Sequence, residues 1–432
     1  MTSYLLERAW VEGRVRDTVR VEVEDGRFTT VEPDAERPGI PLRGLVLPGL
    51  ANAHSHAFHR ALRGRTQRER GSFWTWREQM YDLAGTLGPD TYYALARAAY
   101  REMVAAGFTS VGEFHYLHHR PDGGTYDDPN AMGQALVAAA RDAGIRLTLL
   151  DTLYLSSGFG RPVNGVQRRY DDGDVDRWAT RVSSLRADPG TRIGAAVHSV
   201  RAVTKEQLTT AAALGVDRPL HVHVSEQVAE NDHCLALHGV TPTRLLAEAG
   251  VLGPTTTVVH ATHLSDDDLA LLRARCGFVC VCPTTERDLG DGIGPTHRFR
   301  ELGIPVTIGS DSHAVVDPFE EMRAIELDER LALRTRGGWT AAQLLAAGTV
   351  TGHASLDWPD AGEIAVGQRA DLVVLDTRTP RTAGTGADAQ TAVFAAAAAD
   401  VRMVMVDGRV VFEGDHEAVG RELDQVVTGL WA

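Results

Sequence analysis

Short apolar runs alternate with amphipathic stretches through the middle of the chain. Eight such runs predict β-strands, at 45–53, 107–115, 145–152, 192–198, 219–224, 256–261, 277–282 and 305–310. The stretches between them have a helical period, and two end at Gly107 and Gly144, where a helix C-cap is expected. Eight βα repeats over roughly 300 residues predict an α/β protein with a closed (β/α)8 TIM barrel. An open doubly wound sheet is the alternative, but no G-x-G-x-x-G follows a predicted strand.

Both ends of the chain have strand patterns of a different kind. VRVEVEDGRFTTVEP alternates apolar and polar residues and is broken by Asp25-Gly26, a hairpin signal. VRMVMVDGRVVFEG near the other end is split in the same way by Asp407-Gly408. The pattern predicts a small β-sandwich domain built from residues 1–45 and 361–432, with the barrel domain at 46–360.

Composition and charge exclude several classes of function. The 44 basic and 58 acidic residues give a net charge of −14, which argues against a nucleic-acid partner. No apolar run is long enough to span a membrane, and residues 1–20 lack the apolar segment of a secretory signal. We therefore expect a cytoplasmic protein with no membrane partner.

Histidines mark the C-terminal ends of the predicted strands, which is where a barrel carries its active site. They occur in the segments 54–56, 221–226, 259–263 and 309–313, the last of which also contains Asp311. Burying so many imidazoles and a carboxylate without partners would cost several kcal/mol. A metal ion shared between them would satisfy these groups together, so the pattern predicts a metal site.

Several of these motifs are similar to those of the amidohydrolase superfamily. They are H-S-H after LPGL-x-N, H-V-H-V-S-E, V-H-A-T-H, G-S-D-S and the later stretch GEIAVGQRADLVVLD. Within the superfamily, five further stretches resemble the formimidoylglutamate deiminases: SHAFHRA (55–61), FWTWRE (73–78), EFHYLHH (113–119), HSVRAVT (198–204) and LGDGI (289–293). They occur in the expected order, and the resemblance extends over essentially the whole chain.

The resemblance implies one divalent metal ion per chain, held by His54, His56, His223 and Asp311. Zn²⁺ is the default ion for three histidines and one aspartate, with Fe²⁺ or Mn²⁺ as alternatives. Glu226 would move a proton from the attacking water to the leaving nitrogen, His260 would orient the water or the tetrahedral intermediate, and Asp311 would also accept a proton.

A site with two metal ions is the alternative for this superfamily. Binuclear relatives use a carboxylated lysine at the end of strand four, where this chain has His198. Lys205, the only lysine, lies seven residues later at a predicted helix start. The sequence therefore favours a mononuclear site.

The resemblance also implies the reaction, hydrolysis of N-formimino-L-glutamate to N-formyl-L-glutamate and ammonia, and a homodimer. A small-molecule dicarboxylate needs fixed cationic donors. The substrate-binding positions of the family correspond to His59, Arg77, Tyr116, His198 and Arg201, with His59 standing where the family has Gln.

Two rival functions are another deaminase acting on a guanine-like ring or other small C–N substrate, and a barrel that binds without catalysis. The second is disfavoured because all the predicted ligands and Glu226 are present.

Overall fold

The computed structural model describes residues 1–67, 73–214 and 217–431. Numbered in chain order, its strands are β1 Thr2–Val11, β2 Arg14–Glu24, β3 Arg27–Glu32, β4 Ile40–Pro48, β5 Leu50–Ser55, β6 Phe108–His115, β7 Arg146–Leu153, β8 Thr191–Val197, β9 Leu220–Val224, β10 Thr256–His260, β11 Phe278–Val281, β12 Val306–Ile308, β13 Leu372–Leu375, β14 Val401–Val406 and β15 Arg409–Phe412. Strands β5 to β12 form one parallel sheet in which neighbours follow chain order. This order is expected when a helix returns the chain to the same edge after each strand.

The first and last strands of this sheet meet at a seam. Ser55 and Asp311 form a parallel bridge there. The Asp311 amide donates to the His54 carbonyl at 3.0 Å, and the His56 amide donates to the Asp311 carbonyl at 3.2 Å. These bonds bring the sheet close to full closure and confirm the predicted (β/α)8 barrel.

Helices surround the barrel and connect its strands. Within the described residues they are α1 Phe73–Thr86, α2 Pro89–Ala106, α3 Ala131–Ala143, α4 Val175–Ser183, α5 Lys205–Leu214, α6 Val228–His238, α7 Pro242–Glu248, α8 Asp266–Arg275, α9 Pro283–Leu289, α10 Thr296–Leu302, α11 Pro318–Leu333, α12 Ala341–Gly348, α13 Val350–Ser355, α14 Ala389–Phe394 and α15 His416–Leu430. Helices α2 and α3 end at Gly107 and Gly144, whose φ angles are 108° and 80°. These left-handed C-caps confirm the two helix ends predicted from the sequence.

A second sheet is built from both ends of the chain. Its strand order is β15-β14-β13-β4-β1-β2-β3. The Asp25-Gly26 turn joins β2 to β3, and the Asp407-Gly408 turn joins β14 to β15, as predicted. Apolar side chains from both ends pack on one of its faces in a separate core. The two termini thus form one β domain; the boundaries at 1–45, 46–360 and 361–432 stay predictions.

One predicted strand is wrong. The apolar run 45–53 is divided between the two sheets, because Pro48 pairs with Leu372 in the second sheet and Leu50 pairs with Phe108 in the barrel. Gly49 lies between them, and a Cβ atom at this position would lie 2.3 Å from Thr109 Oγ1. The chain changes sheets at this close approach, although its hydrophobicity is continuous. The other seven predicted barrel strands agree with the structure to within two residues at each end.

A helix that crosses a bilayer needs about 20 predominantly apolar residues. Among the described residues, no helix combines the length and the apolar character that crossing a membrane requires.

Candidate metal and catalytic site

Four buried side chains converge where three barrel strands end. They are the four predicted ligands, and one ligand atom of each lies within 4.8 Å of the others: His54, His56, His223 and Asp311. Asp311 Oδ1 lies 3.1 Å from His54 Nε2 and 3.2 Å from His56 Nε2. His54 Nε2 and His223 Nε2 are 3.0 Å apart. The fold therefore brings together residues that are up to 257 positions apart, from His54 to Asp311.

Hydrogen bonds behind the histidines show that this cluster suits a metal ion. His56 Nδ1 lies 2.9 Å from the Phe114 carbonyl, and His223 Nδ1 lies 2.9 Å from the His198 carbonyl. Because a carbonyl only accepts, each Nδ1 carries the proton and each Nε2 presents a lone pair to the cluster. Lone pairs that face a carboxylate repel it unless a cation lies between them. The donor set of three imidazoles and one carboxylate is one that Zn²⁺ and similar divalent ions bind.

The protonation states also fit metal ligation. Burial lowers the pKa of His54 to about 4. Burial acts to raise the pKa of Asp311, but the adjacent imidazoles of His54 and His56 outweigh it and hold that pKa well below its ordinary value. A neutral imidazole and an ionised carboxylate are the forms that bind metals.

The backbone at these strand ends adopts the left-handed conformation at several residues. Among non-glycine residues, Ser225, His260, Ala261, Asp311 and His313 have φ angles of 52°, 68°, 50°, 32° and 57°. Left-handed backbone is unfavourable for such residues and is retained where surrounding structure fixes it. Its concentration at the ends of β9, β10 and β12 shows that side-chain placement there is tightly determined.

Glu226 and His260 lie beside the cluster without belonging to it. His260 Nε2 is 3.8 Å from Glu226 Oε1 and 3.9 Å from Asp311 Oδ2. On its other side, His260 Nδ1 is 3.3 Å from Glu286 Oε1. Burial acts to lower the pKa of His260, but the three carboxylates outweigh it and hold that pKa well above its ordinary value. The site therefore places Glu226, the predicted base, next to an imidazole whose surroundings favour its protonated form.

A cavity of about 470 Å³ adjoins these groups. Its lining includes Glu226, His260 and Asp311 together with all five predicted substrate-binding residues: His59, Arg77, Tyr116, His198 and Arg201. The volume is in the range of pockets that enclose a small molecule. The structure thus places the predicted substrate contacts and the metal cluster around one space.

His59 and Tyr116 contact one another in the wall of this cavity. His59 Nε2 lies 3.0 Å from the Tyr116 hydroxyl. Burial lowers the pKa of His59 well below its ordinary value, so the imidazole is neutral. Like the amide of Gln, a neutral imidazole can donate or accept a hydrogen bond at this position.

The structure does not support the binuclear alternative. Lys205 lies on the outside of the barrel on α5, where its Nζ pairs with Glu248 Oε2 at 2.9 Å. His198 faces the cavity instead. Lys205 does not line the cavity.

A second buried group of possible ligands comprises His115, His118 and Asp151. Both oxygens of Asp151 accept hydrogen bonds from Arg181, at 2.8 Å each, and Trp178 Nε1 also donates to it. The guanidinium already neutralises this carboxylate, so the group is a structural ion pair. None of its three residues lines the cavity.

Sequence reasoning missed several residues of the site. Glu113 accepts hydrogen bonds from Ser55 Oγ and from the Ala57 amide, both at 2.7 Å, and so fixes the segment after β5. Tyr154 and Arg161 line the cavity from the loop after β7. Glu113 lies within the EFHYLHH motif, so the sequence could have identified it. Tyr154 and Arg161 lie in a loop with no regular spacing of residues that would have indicated them.

Comparisons with known proteins agree with this geometry. The sequence profile described as the amidohydrolase family matches residues 45–411. Formimidoylglutamate deiminase from Pseudomonas aeruginosa is 40% identical over 438 residues, covering 96% of both chains. Among solved structures, an amidohydrolase from Brucella melitensis has a TM-score of 0.92 and 33% identity, with all of both chains covered. A zinc-bound adenosine deaminase from Xanthomonas campestris has the same fold, with a TM-score of 0.85 at 22% identity over 100% of this chain and 98% of its own.

Proposed function

Because the chain belongs to the amidohydrolase family, we propose that it is a metal-dependent hydrolase that converts N-formimino-L-glutamate and water to N-formyl-L-glutamate and ammonia, in histidine degradation. The observation that carries the proposal is that Arg77 and Arg201 line the same cavity as the metal cluster. The identity with the Pseudomonas deiminase over nearly the whole chain supports the same substrate.

His54, His56, His223 and Asp311 would hold one divalent ion, with Zn²⁺ as the expected metal. The zinc-bound Xanthomonas structure supports this identity for the ion. When bound, the ion would lower the pKa of a water molecule towards about 7 and so make it a nucleophile at neutral pH. Asp311 would serve both as a ligand and as a proton acceptor.

Glu226 is the proposed proton carrier of the reaction. Its carboxylate takes a proton from the attacking water and delivers it to the nitrogen that leaves as ammonia. Asp311 would accept the second proton of the water, from the hydroxyl of the tetrahedral intermediate, and this proton also passes to the leaving nitrogen. The C–N bond to that nitrogen then breaks, ammonia leaves, and the added oxygen becomes the formyl carbonyl. His260 Nε2 lies 3.8 Å from Glu226 Oε1, and in its protonated form this imidazole would stabilise the negative charge of the tetrahedral intermediate.

Recognition of the substrate rests on the cationic groups in the cavity wall. The glutamate part of the substrate has two carboxylates, and Arg77 and Arg201 each offer a charged, bidentate donor. His59, Tyr116 and His198 supply further hydrogen bonds. With a net charge of −14, the overall field does not attract a dianion, so these local groups must provide the attraction.

The proposal includes three features of the whole protein. They are a homodimer, a cytoplasmic location, and the division into a β domain at 1–45 and 361–432 and a barrel at 46–360.

The activity is tested by incubating metal-replete protein with N-formimino-L-glutamate and measuring both products. The proposal predicts ammonia and N-formyl-L-glutamate in equal amounts, and no formation of glutamate and formamide. Ammonia without the formyl product, or no turnover with a full metal site, would contradict it.

A further inference from the structure

Glu230 is a buried acid that connects two parts of the site. It lies in the first turn of α6, and its side chain is 0% exposed. Its Oε1 accepts a hydrogen bond from the Ser225 amide at 3.0 Å. Its Oε2 forms an ion pair with Arg201 Nε at 3.1 Å. The four-residue spacing from Glu226 places both acids next to the same arginine.

The contact with Arg201 fixes a flexible side chain that lines the cavity. The contact is an ion pair and not a hydrogen bond, because neither Arg201 Nε nor Glu230 Oε2 has a hydrogen-bond partner among the described residues. A guanidinium has five N–H donors in a rigid plane, so a buried negative charge beside its Nε restrains the direction of the other donors. Glu226 Oε2 lies 3.6 Å from Nη2 of the same arginine. These two contacts do not use all its donors, and the remaining ones are available to a substrate carboxylate.

The contact with Ser225 fixes the backbone between two functional groups. Ser225 has a φ angle of 52° and lies between His223 and Glu226 in the chain. A hydrogen bond from its amide to a buried carboxylate stabilises this unfavourable conformation. Glu230 therefore contacts both Arg201 in the cavity wall and the backbone at the end of β9. That strand end carries the predicted ligand His223 and the predicted base Glu226.

We propose that Glu230 is a positioning residue that orients Arg201 towards a carboxylate of the substrate. This inference rests on the proposed function for the identity of that substrate. Glu230 does not touch the substrate in this account, and its effect on binding passes through Arg201.

Glu230→Gln separates the two contacts, because the Gln carbonyl still accepts from Ser225 while the charge opposite Arg201 is lost. The KM for N-formimino-L-glutamate should rise roughly 10- to 100-fold, with a smaller change in kcat and an unchanged metal content. Glu326→Gln is the matched control. Glu326 is also buried, accepts from the Gly337 and Trp339 amides, and pairs with Arg330 Nε at 2.7 Å, but outside the cavity.

The substrate pattern distinguishes positioning from general damage. Two monoamides of the substrate can be made, and each lacks one of its two carboxylates. Arg201→Met should hardly change the turnover of the monoamide that lacks the carboxylate bound by Arg201. Glu230→Gln should be nearly without effect on the same monoamide and should impair turnover of the other. Equal losses on both monoamides, loss of metal, or a KM no higher than that of Glu326→Gln would overturn the proposal.

A crystal structure of the Glu230→Gln protein provides a readout that does not depend on the substrate. The proposal predicts a displaced Arg201 guanidinium with the bond to the Ser225 amide retained, and an undisplaced Arg201 would refute it. If the wild type fails to turn over N-formimino-L-glutamate while Arg201 is displaced in the variant, the proposed substrate is wrong and the positioning role stands.

Discussion

Asp311 and His54 are joined twice across the seam of the barrel. The Asp311 amide donates to the His54 carbonyl at 3.0 Å, and Asp311 Oδ1 lies 3.1 Å from His54 Nε2. The same two residues thus close the barrel and form half of the metal cluster. A metal ion at this point would connect β5, β9 and β12, so metal binding and barrel stability should be linked.

His223→Ala should abolish metal binding and activity together. The variant removes one of four ligands, and the remaining three cannot complete the coordination of a tightly held ion. Elemental analysis should find about one divalent ion per wild-type chain and far less in the variant, and the melting temperature of the variant should be lower. His297→Ala, on α10 outside the cavity, should keep metal and activity. Two ions per wild-type chain, both required for turnover, would contradict the mononuclear site.

Glu226→Gln should keep the metal and lose the reaction. The amide cannot take or deliver the proton, and removing general acid–base help typically lowers kcat by about 10²- to 10⁴-fold. Metal content and kcat are measured on the same preparation, with the surface variant Glu248→Gln as the control. A metal-free Glu226→Gln protein would mean that Glu226 is a ligand, and a kcat close to that of the wild type would exclude it as the proton carrier.

Arg77→Met and Arg201→Met should each weaken turnover of the dicarboxylate. Loss of a buried charged partner typically costs about 2–5 kcal/mol, or roughly 30- to several-thousand-fold in kcat/KM. The loss should be much smaller for the monoamide that lacks the matching carboxylate. Arg402→Met, an exposed position on β14, serves as the control. Unchanged kcat/KM in both cavity variants would contradict the assignment of these arginines.

His353→Gln should make the free energy of unfolding less sensitive to acid. His353 is fully buried, and its burial together with Arg146 lowers its pKa to about 4. The unfolded state takes up the proton near pH 6.5, so stability from this group is present above about pH 6.5 and is lost as the pH falls towards about 4. Between about pH 7.5 and pH 5 the wild type should lose roughly 2 kcal/mol more unfolding free energy than the variant. Urea unfolding curves at both pH values check this, and identical pH dependence in the two proteins would contradict the buried-histidine account.

Local signals in the sequence predicted the barrel, and the resemblance implied the four residues that the fold brings together in one cluster. Strand periodicity located seven barrel strands to within two residues, and parallel strands in chain order bring their C-terminal ends to one edge. The positions of His54, His56, His223 and Asp311 follow from that order. Hydrophobicity alone could not divide the run 45–53, because both of its halves are buried and only the close approach at Gly49 separates them.

The supporting residues of the site were harder to predict, because they depend on contacts between distant segments. Glu230 matters through Arg201, 29 positions earlier in the chain. Arg161 reaches the cavity from a loop without regular spacing. His59 illustrates the opposite case: its position was predicted, and its contact with Tyr116 shows how an imidazole can occupy the place of the amide found in the family.

Comparing kcat/KM for N-formimino-L-glutamate with the values for guanine and adenosine, on one metal-replete preparation, tests the central claim most directly. An uncharged purine makes no use of Arg77 and Arg201, whereas the dicarboxylate engages both. The account predicts a preference of at least about 10³-fold for N-formimino-L-glutamate, since each arginine contact contributes 30-fold or more by the estimate above. Preferred turnover of either purine would contradict the account, and would make His59 the first residue to re-examine as a determinant of a different substrate.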